Sequence, residues 1–428
     1  MTRRWRDALL TCLCAAAMGY YYFGVLLPHS RVIQLAAHAA GGYSFGNDFY
    51  PIWLTARECL RHHRSPYSAE ITQQIQIGLF GRVLSAANPG DPSPDYRAFS
   101  YPAFIDLPAS VLARLSFPAA RMLMAILLPL LTAASVMLWA RALDWKASPA
   151  CLTILVVLTL FSYPGLAALF AQQVGLAVGF LLAGAISALT NSKPGWAGCL
   201  LAFATVKPQM SALLIFCLLL WAFAKWGERW KLAAGFAATL ALMTFSAWLV
   251  WPNWIGSWVH VMLNYRNYSR PPLLGYLFGH YVGVALIGLA LAGSFAYAWR
   301  MRSAPPTSAQ FRITIALTLA VTTVALLPEH AVYDHVILLP GIIMVLRSWR
   351  QLWAANPPVR WILVLAAVVL FWPWVAALFV DAARLSVAPL ATTILFLPLR
   401  TAAAIPFVVL ALLVMVGRRE TSSGEPSY

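Results

Sequence analysis

Long apolar runs separated by short polar connections dominate this chain, and their lengths predict what it builds. The first run, Ala8 to Leu27, is about twenty residues, enough to span a bilayer as one helix and longer than the roughly 7–15-residue core of a cleavable signal. Further runs lie near residues 119–140, 149–168, 172–190, 195–206, 209–224, 231–250, 280–299, 311–327, 332–346, 360–378 and 392–416, which predicts about twelve crossings in all. The two runs flanking Lys207-Pro208 are short for a crossing. Tyr101 to Leu115 is apolar but broken by Pro102 and Pro108, and is expected as a re-entrant or interfacial helix. The expected fold class is therefore all-α and integral to the membrane. Its divisions are an N-terminal anchor (1–27), a polar segment with amphipathic helices and the re-entrant helix (28–118), a polytopic bundle (119–416) and a polar tail (417–428).

The polar segment has its own periodicity. Phe49, Trp53, Ala56 and Leu60 recur at helical spacing while Arg57, Glu58, Arg61 and Arg64 take the opposite face, which predicts a helix lying on the membrane surface. Ser65-Pro66-Tyr67 predicts a turn, and a second helix is expected from Ser68, with Ile71, Ile75 and Leu79 inward. Asp48 stands immediately before the first helix, so its side chain is either an N-cap or free for chemistry. Asp91 and Asp95 alternate with Pro92 and Pro94, a turn pattern rather than a nucleotide-sugar metal motif.

Composition agrees with the pattern: 61% of residues are hydrophobic and 10% charged, which excludes a large soluble catalytic domain. The net charge of +16 is first a matter of topology. One set of short connections and termini carries seventeen Lys and Arg, whereas the opposite set carries four: Lys207, Arg266, Arg270 and Arg384. Cytoplasmic loops retain positive charge, so both termini are expected in the cytoplasm and the polar segment outside, as in a multi-pass protein of a bacterial-type plasma membrane. No basic-aromatic module suggests nucleic acid as a partner. Paired arginines near the start and Ala37-His38-Ala39 imitate export and cleavage signals at poor spacing, and the first span is expected to be retained. Of six cysteines only Cys59 stands in a polar stretch, so no disulfide framework or CxxC metal site follows.

Polar residues unexplained by topology gather on the expected outer face, and one shared site is the simplest reading. Lys207, beside Pro208, is either a snorkelling lysine or a phosphate clamp, and Arg266 and Arg270 are further candidates for the clamp. Gln172 and Gln173 suit hydrogen bonds to sugar hydroxyls or to neighbouring helices. His330 and His335 flank Tyr333 and Asp334; hydrogen-bonded structure is the first reading, and a divalent pair of His330 with Asp334 requires a helical stretch. Trp251, Trp254 and Trp258 read as an aromatic belt, and Asp381 with Arg384 ends a late span.

Asp48-Phe49, Trp53 with Ala56, Ser65-Pro66-Tyr67, Tyr101-Pro102, Gln172-Gln173-Val174 and Ala197-Gly198 through Lys207-Pro208, with Tyr333-Asp334-His335 more loosely, resemble in their order the polyprenol-phosphate-dependent glycosyltransferases of family 87. The resemblance departs at Ala103, where the family often has a second proline, and at Gln172, where it often has glycine. It implies a GT-C-like bundle, a polyprenyl-phosphate sugar as donor, a glycolipid or glycan acceptor, and a catalytic carboxylate in the first extracytoplasmic loop, here Asp48. An inverting displacement would need that one base within about 3 Å of the acceptor hydroxyl and fixed positive charge for the departing phosphate. Substrate contacts are then expected from Tyr101, Gln172, Gln173, Lys207, Arg266, Arg270, His330 and His335, with no metal or cofactor, and with mannose as one candidate sugar. Two other classes compete: a transporter or flippase of a lipid-linked sugar, for which ionisable groups near the midplane and an internal repeat are wanting, and a structural membrane subunit.

Overall fold

The computed structural model describes residues 3–30, 44–88, 91, 93–354, 357–386 and 391–422. Ala37-His38-Ala39, Pro92, the side chains of Arg3 and Arg4 and the end of the tail lie outside the described residues. Among those described, the chain is helical, with a single isolated bridge joining Pro272 to Pro328. The helices run as α1 (Arg3–Tyr20), α2 (Phe49–His62), α3 (Ala69–Phe80), α4 (Asp106–Ala113), α5 (Phe117–Ala142), α6 (Pro149–Leu160), α7 (Tyr163–Ala171), α8 (Gly175–Thr190) and α9 (Pro194–Ala204). They continue as α10 (Pro208–Ala224), α11 (Trp226–Val250), α12 (Trp254–Tyr265), α13 (His280–Arg300), α14 (Ala309–Ala325), α15 (Leu339–Trp353), α16 (Pro357–Ser386) and α17 (Ile405–Ser422), with shorter turns between.

Seven described helical stretches are long and apolar enough to cross a membrane, or eight if α6 and α7, bent by 61°, form one broken span. About twelve crossings were expected by counting apolar runs at about twenty residues each, and the difference lies in what several runs become. The run after Pro149 breaks at Phe161-Ser162, and those flanking Lys207-Pro208 form helices of 11 and 17 residues. Local chemistry sets these starts. The Ser148, Ser162 and Ser308 hydroxyls accept the N–H of Cys151, Gly165 and Phe311 at 3.3, 3.0 and 3.2 Å, and Pro149, Pro194 and Pro208 occupy first-turn positions where no N–H is needed.

The polar segment packs onto the bundle through the stripe its periodicity predicts: Phe49, Ile52, Trp53 and Ala56 of α2 are buried, and so are Ile71, Ile75 and Leu79 of α3. Leu60 differs; the last turn of α2 carries it beyond the packed face, and it is 47% exposed. The proline-broken stretch becomes a 3-10 turn at Ala103–Ile105 followed by α4, which packs against α2. The three tryptophans read as a belt, Trp251, Trp254 and Trp258, also make packing contacts. Trp254 is buried, while the Trp251 and Trp258 indoles donate to Arg64 O and Ser100 O at 3.2 and 3.1 Å, tying the polar segment to the start of α12. At the other end of α10, Arg229 is buried against Trp221, 3.8 Å from the ring centroid, and donates to the carbonyls of Trp221, Arg302, Ser303 and Ala304 at 2.8 to 3.2 Å.

Candidate active site

Helix α7 ends at Gln172, whose φ of 55° lies in the left-handed region that closes a helix. Glycine adopts this conformation at least cost, so the departure noted at Gln172 falls at a position where a side chain adds backbone strain. The side chain compensates by donating from Nε2 to Arg121 O at 2.6 Å. The turn before α2 docks on this helix end: Gly46 N–H donates to Phe170 O at 2.8 Å and Asp48 N–H to Ala171 O at 3.0 Å. Gly46 has a φ of 79°, and a Cβ there would press on Gln172 and Arg121. The Asp48 and Gln172-Gln173 segments, distant in sequence, thus form one interlocked turn.

That turn decides what the Asp48 carboxylate does. Its backbone is αR, with φ −94° and ψ −17°, and its side chain makes no capping bond to α2. The first N–H groups of α2, from Phe49 and Tyr50, go instead to Gly46 O. The N-cap role open to Asp48 is left unused, and the carboxylate points to other side chains. Oδ1 accepts from Arg97 Nη1 at 2.5 Å, and Oδ2 accepts from Gln173 Nε2. Gln173 Oε1 accepts from Lys207 Nζ at 3.1 Å, and Lys207 also donates to Asp334 Oδ1 at 2.6 Å while lying 5.0 Å from the centroid of the Tyr333 ring. Gln173, Lys207 and Asp334 are buried, so that end of the chain is screened from water, while the Arg97 and Asp48 side chains at its other end stay partly exposed.

The packing around it is tight on one side and open on the other. Gly175 starts α8 directly against the Lys207–Asp334 pair, and a Cβ there would run into Asp334 Oδ1 and approach Lys207 Nζ to 3.4 Å. Asp334 Oδ2 and Arg97 Nε are buried yet have no hydrogen-bond partner among the described residues, which marks them as groups with capacity to spare. Tyr101 and Tyr265 lie within electrostatic reach of Asp48 and Asp334; burial, foremost, and those carboxylates hold both phenols above their ordinary range and therefore neutral.

The expected contacts divide accordingly. Asp48, Gln173 and Lys207 meet directly, with Tyr101 beside them. Gln172 braces the turn from behind. Arg270 donates to Glu329 at 3.0 Å on the exposed rim, where Glu329 N–H also donates to Pro271 O. Arg266 is exposed at the end of α12, where its backbone N–H donates to Asn264 O, and its side chain makes no hydrogen bond or ion pair among the described residues. His330 lies on the same rim, and crowding by the protein lowers its pKa below the usual value although part of the ring faces solvent. It precedes a 3-10 turn, Val332–Leu338, so His330 and Asp334 do not share a helical face, and no group of three or more potential metal ligands forms among the described residues. His335, half-buried, belongs to that turn. Arg97 is the member that residue patterns did not single out, and Asp334, expected only as a possible divalent partner of His330, pairs with Lys207 instead. Asp381 lies elsewhere, beside Tyr21.

A family model described as glycosyltransferase family 87 matches residues 99–328. The match contains Gln173 and Lys207; Asp48, Arg97 and Asp334 lie outside it. No curated protein and no solved structure is a match.

Proposed function

The chain belongs to glycosyltransferase family 87, and from that premise we propose that it transfers a sugar from a polyprenyl-phosphate donor to a glycolipid or glycan acceptor on the extracytoplasmic face, with both termini cytoplasmic. The observation that carries this reading is the Asp48 carboxylate, turned away from its own helix and held by Arg97 on one oxygen and Gln173 on the other.

A carboxylate has about four lone-pair sites, so two such bonds leave Asp48 room to accept a proton. In the proposed step the acceptor hydroxyl attacks the anomeric carbon as Asp48 takes its proton. The C–O bond to phosphate breaks, the electron pair leaves with the phosphate, and the configuration inverts. The leaving group is already stable as an anion, so no acid is required. Arg97 offers the nearest cation for that phosphate, because only Nη1 is engaged with Asp48. Arg266 and Arg270 add positive charge on the rim. Lys207 serves the site through Gln173: its ammonium fixes which end of the amide is oxygen, and so presents N–H rather than C=O to Asp48.

The test is transfer from a panel of radiolabelled polyprenyl-phosphate sugars to membrane lipid extract by purified protein and its Asp48→Asn variant. Transfer by the first and not the second is expected. Transfer undiminished in Asp48→Asn removes the base, and translocation of the donor without cleavage would replace the reaction by transport.

A further inference from the structure

A cleft lies outside the Asp48 group. Helix α3, the residues Val83, Leu84, Pro94, Asp95 and Ala98, and helix α12 line this cleft of about 390 Å³, within the size range of small-molecule sites. Its walls offer the Gln73 and Asn264 amides, the Asp95 carboxylate, the His260 imidazole and the rings of Tyr67 and Tyr268. Gln76 secures it from below: the buried amide donates to Pro94 O and Tyr96 O at 2.7 and 2.9 Å and accepts from Leu84 N–H at 3.0 Å, so the segment forming one wall is pinned to α3.

The cleft adjoins the reaction centre through one strip of chain. Tyr268 meets the Tyr96 ring edge-on at 5.6 Å, and the Arg97 guanidinium lies 5.5 Å from that ring's centroid on its way to Asp48. Tyr265, less than one helical turn from Tyr268 and 5.2 Å from it ring to ring, is within electrostatic reach of Asp48. An extended molecule with one hydroxyl at Asp48 and its remainder in the cleft would follow these tyrosines.

The lining says what kind of molecule that is. Among the described residues no lysine or arginine lines the cleft, whereas the Asp95 carboxylate does, so it is the wrong place for a phosphate. Amides, imidazole and carboxylate together are a poor host for a polyprenyl chain, which would leave them without partners. A neutral saccharide satisfies both: its hydroxyls match the amides and Asp95, and its C–H faces match the tyrosine rings. We propose that this cleft binds the neutral saccharide of the acceptor, beyond the sugar whose hydroxyl reacts. The assignment rests on the glycosyltransferase reading, and makes the acceptor a glycan of more than one sugar.

The experiment has two arms on the full-length purified protein. In the first, binding of soluble neutral oligosaccharides of two to four hexoses, in mannose, glucose and galactose series, is measured by saturation-transfer NMR and titration. One series is expected to bind the wild type, to lose at least tenfold in affinity when Thr72→Trp fills the cleft, and to lose several-fold in Asn264→Ala and Gln73→Ala, which remove single contacts with little risk to folding. Binding by no series, or binding indifferent to all three substitutions, overturns the assignment. The second arm measures donor cleavage by the wild type and Asp48→Asn. Asp48-dependent cleavage without saccharide binding removes the cleft assignment and leaves the reaction standing. Saccharide binding with no Asp48-dependent cleavage of any donor removes the reaction, and the acceptor role with it.

Discussion

The chain buries positive charge at both ends of α10, in opposite ways. Trp221, against which Arg229 lies, is fourteen residues along that helix from Lys207, about 21 Å at 1.5 Å per residue. Arg229 gives four hydrogen bonds to four backbone carbonyls and stacks on an indole; none of its nitrogens is left buried without a partner. At the Lys207 end each ion pair joins a chain that stops short of closing, with Asp334 Oδ2 and Arg97 Nε unpartnered among the described residues. A buried polar group without a partner destabilises, so a network that satisfies itself reads as a clamp, and one that does not reads as a site awaiting a ligand.

The largest expected effect separates these roles at once. Asp48→Asn keeps shape, makes no difference to a helix cap that is not there, and should lower turnover by about 10²–10⁴-fold, the usual worth of a positioned base, with a smaller loss of melting temperature than Lys207→Met because the Arg97 pair it weakens is partly exposed. Steady-state kinetics alongside thermal unfolding checks both halves. Next in size is Lys207→Met. It strands Asp334, which is 0% exposed, and breaking a buried pair at one partner costs about 3–5 kcal/mol. The double variant Lys207→Met/Asp334→Leu should recover most of that stability in denaturation experiments without recovering turnover, because Gln173 has then lost the contact that orients its amide. Full turnover in the double variant would show the pair to be a clamp like Arg229, and the contrast between the two ends would fail.

How far the residues announce all this depends on whether a role leaves a pattern. The stripes of α2 and α3 are legible because burial repeats at 3.6 residues, and the shared placement of Asp48, Gln173 and Lys207 was legible from charge topology and ordered motifs. Arg97 leaves no such trace. It is one of seven arginines in the polar segment, in an aperiodic stretch, and its backbone turns there through a φ of 70°. Asp334 sat within a recognised segment, where the flanking histidines drew attention by chemistry while the aspartate made the buried bond. In the sequence Arg229 reads as topology; its four carbonyl partners come from the end of α10 and from residues 302–304, which no local spacing brings together. The crossing count exceeded the long helices because hydropathy registers apolar runs and not where they bend.

The clamp supplies the next prediction. Arg229→Leu removes hydrogen bonds from a charged donor, worth about 1.5–3 kcal/mol each at most and partly replaced by water at a helix end, so a net loss of about 2–3 kcal/mol is expected. Turnover per folded molecule should stay at the wild-type level, the reverse of Asp48→Asn. A comparable loss of turnover would join the two ends into one functional unit.

The smallest effect tests the rim of the open end. Burial lowers the His330 pKa below 6.5, against an opposing pull from Glu329, so the folded protein holds this ring neutral where the unfolded chain would protonate it. Between the two pKa values the unfolded state binds more protons, and stability therefore rises with pH. The contribution is fully present above pH 6.5 and is lost as the pH falls from 6.5 towards the folded value. Melting temperatures of the wild type should decline over that interval more steeply than those of His330→Gln, by a small margin because part of the ring already meets solvent. An identical decline in both would mean that His330 contributes nothing to the acid sensitivity of this end, and would assign that sensitivity to the carboxylates around it.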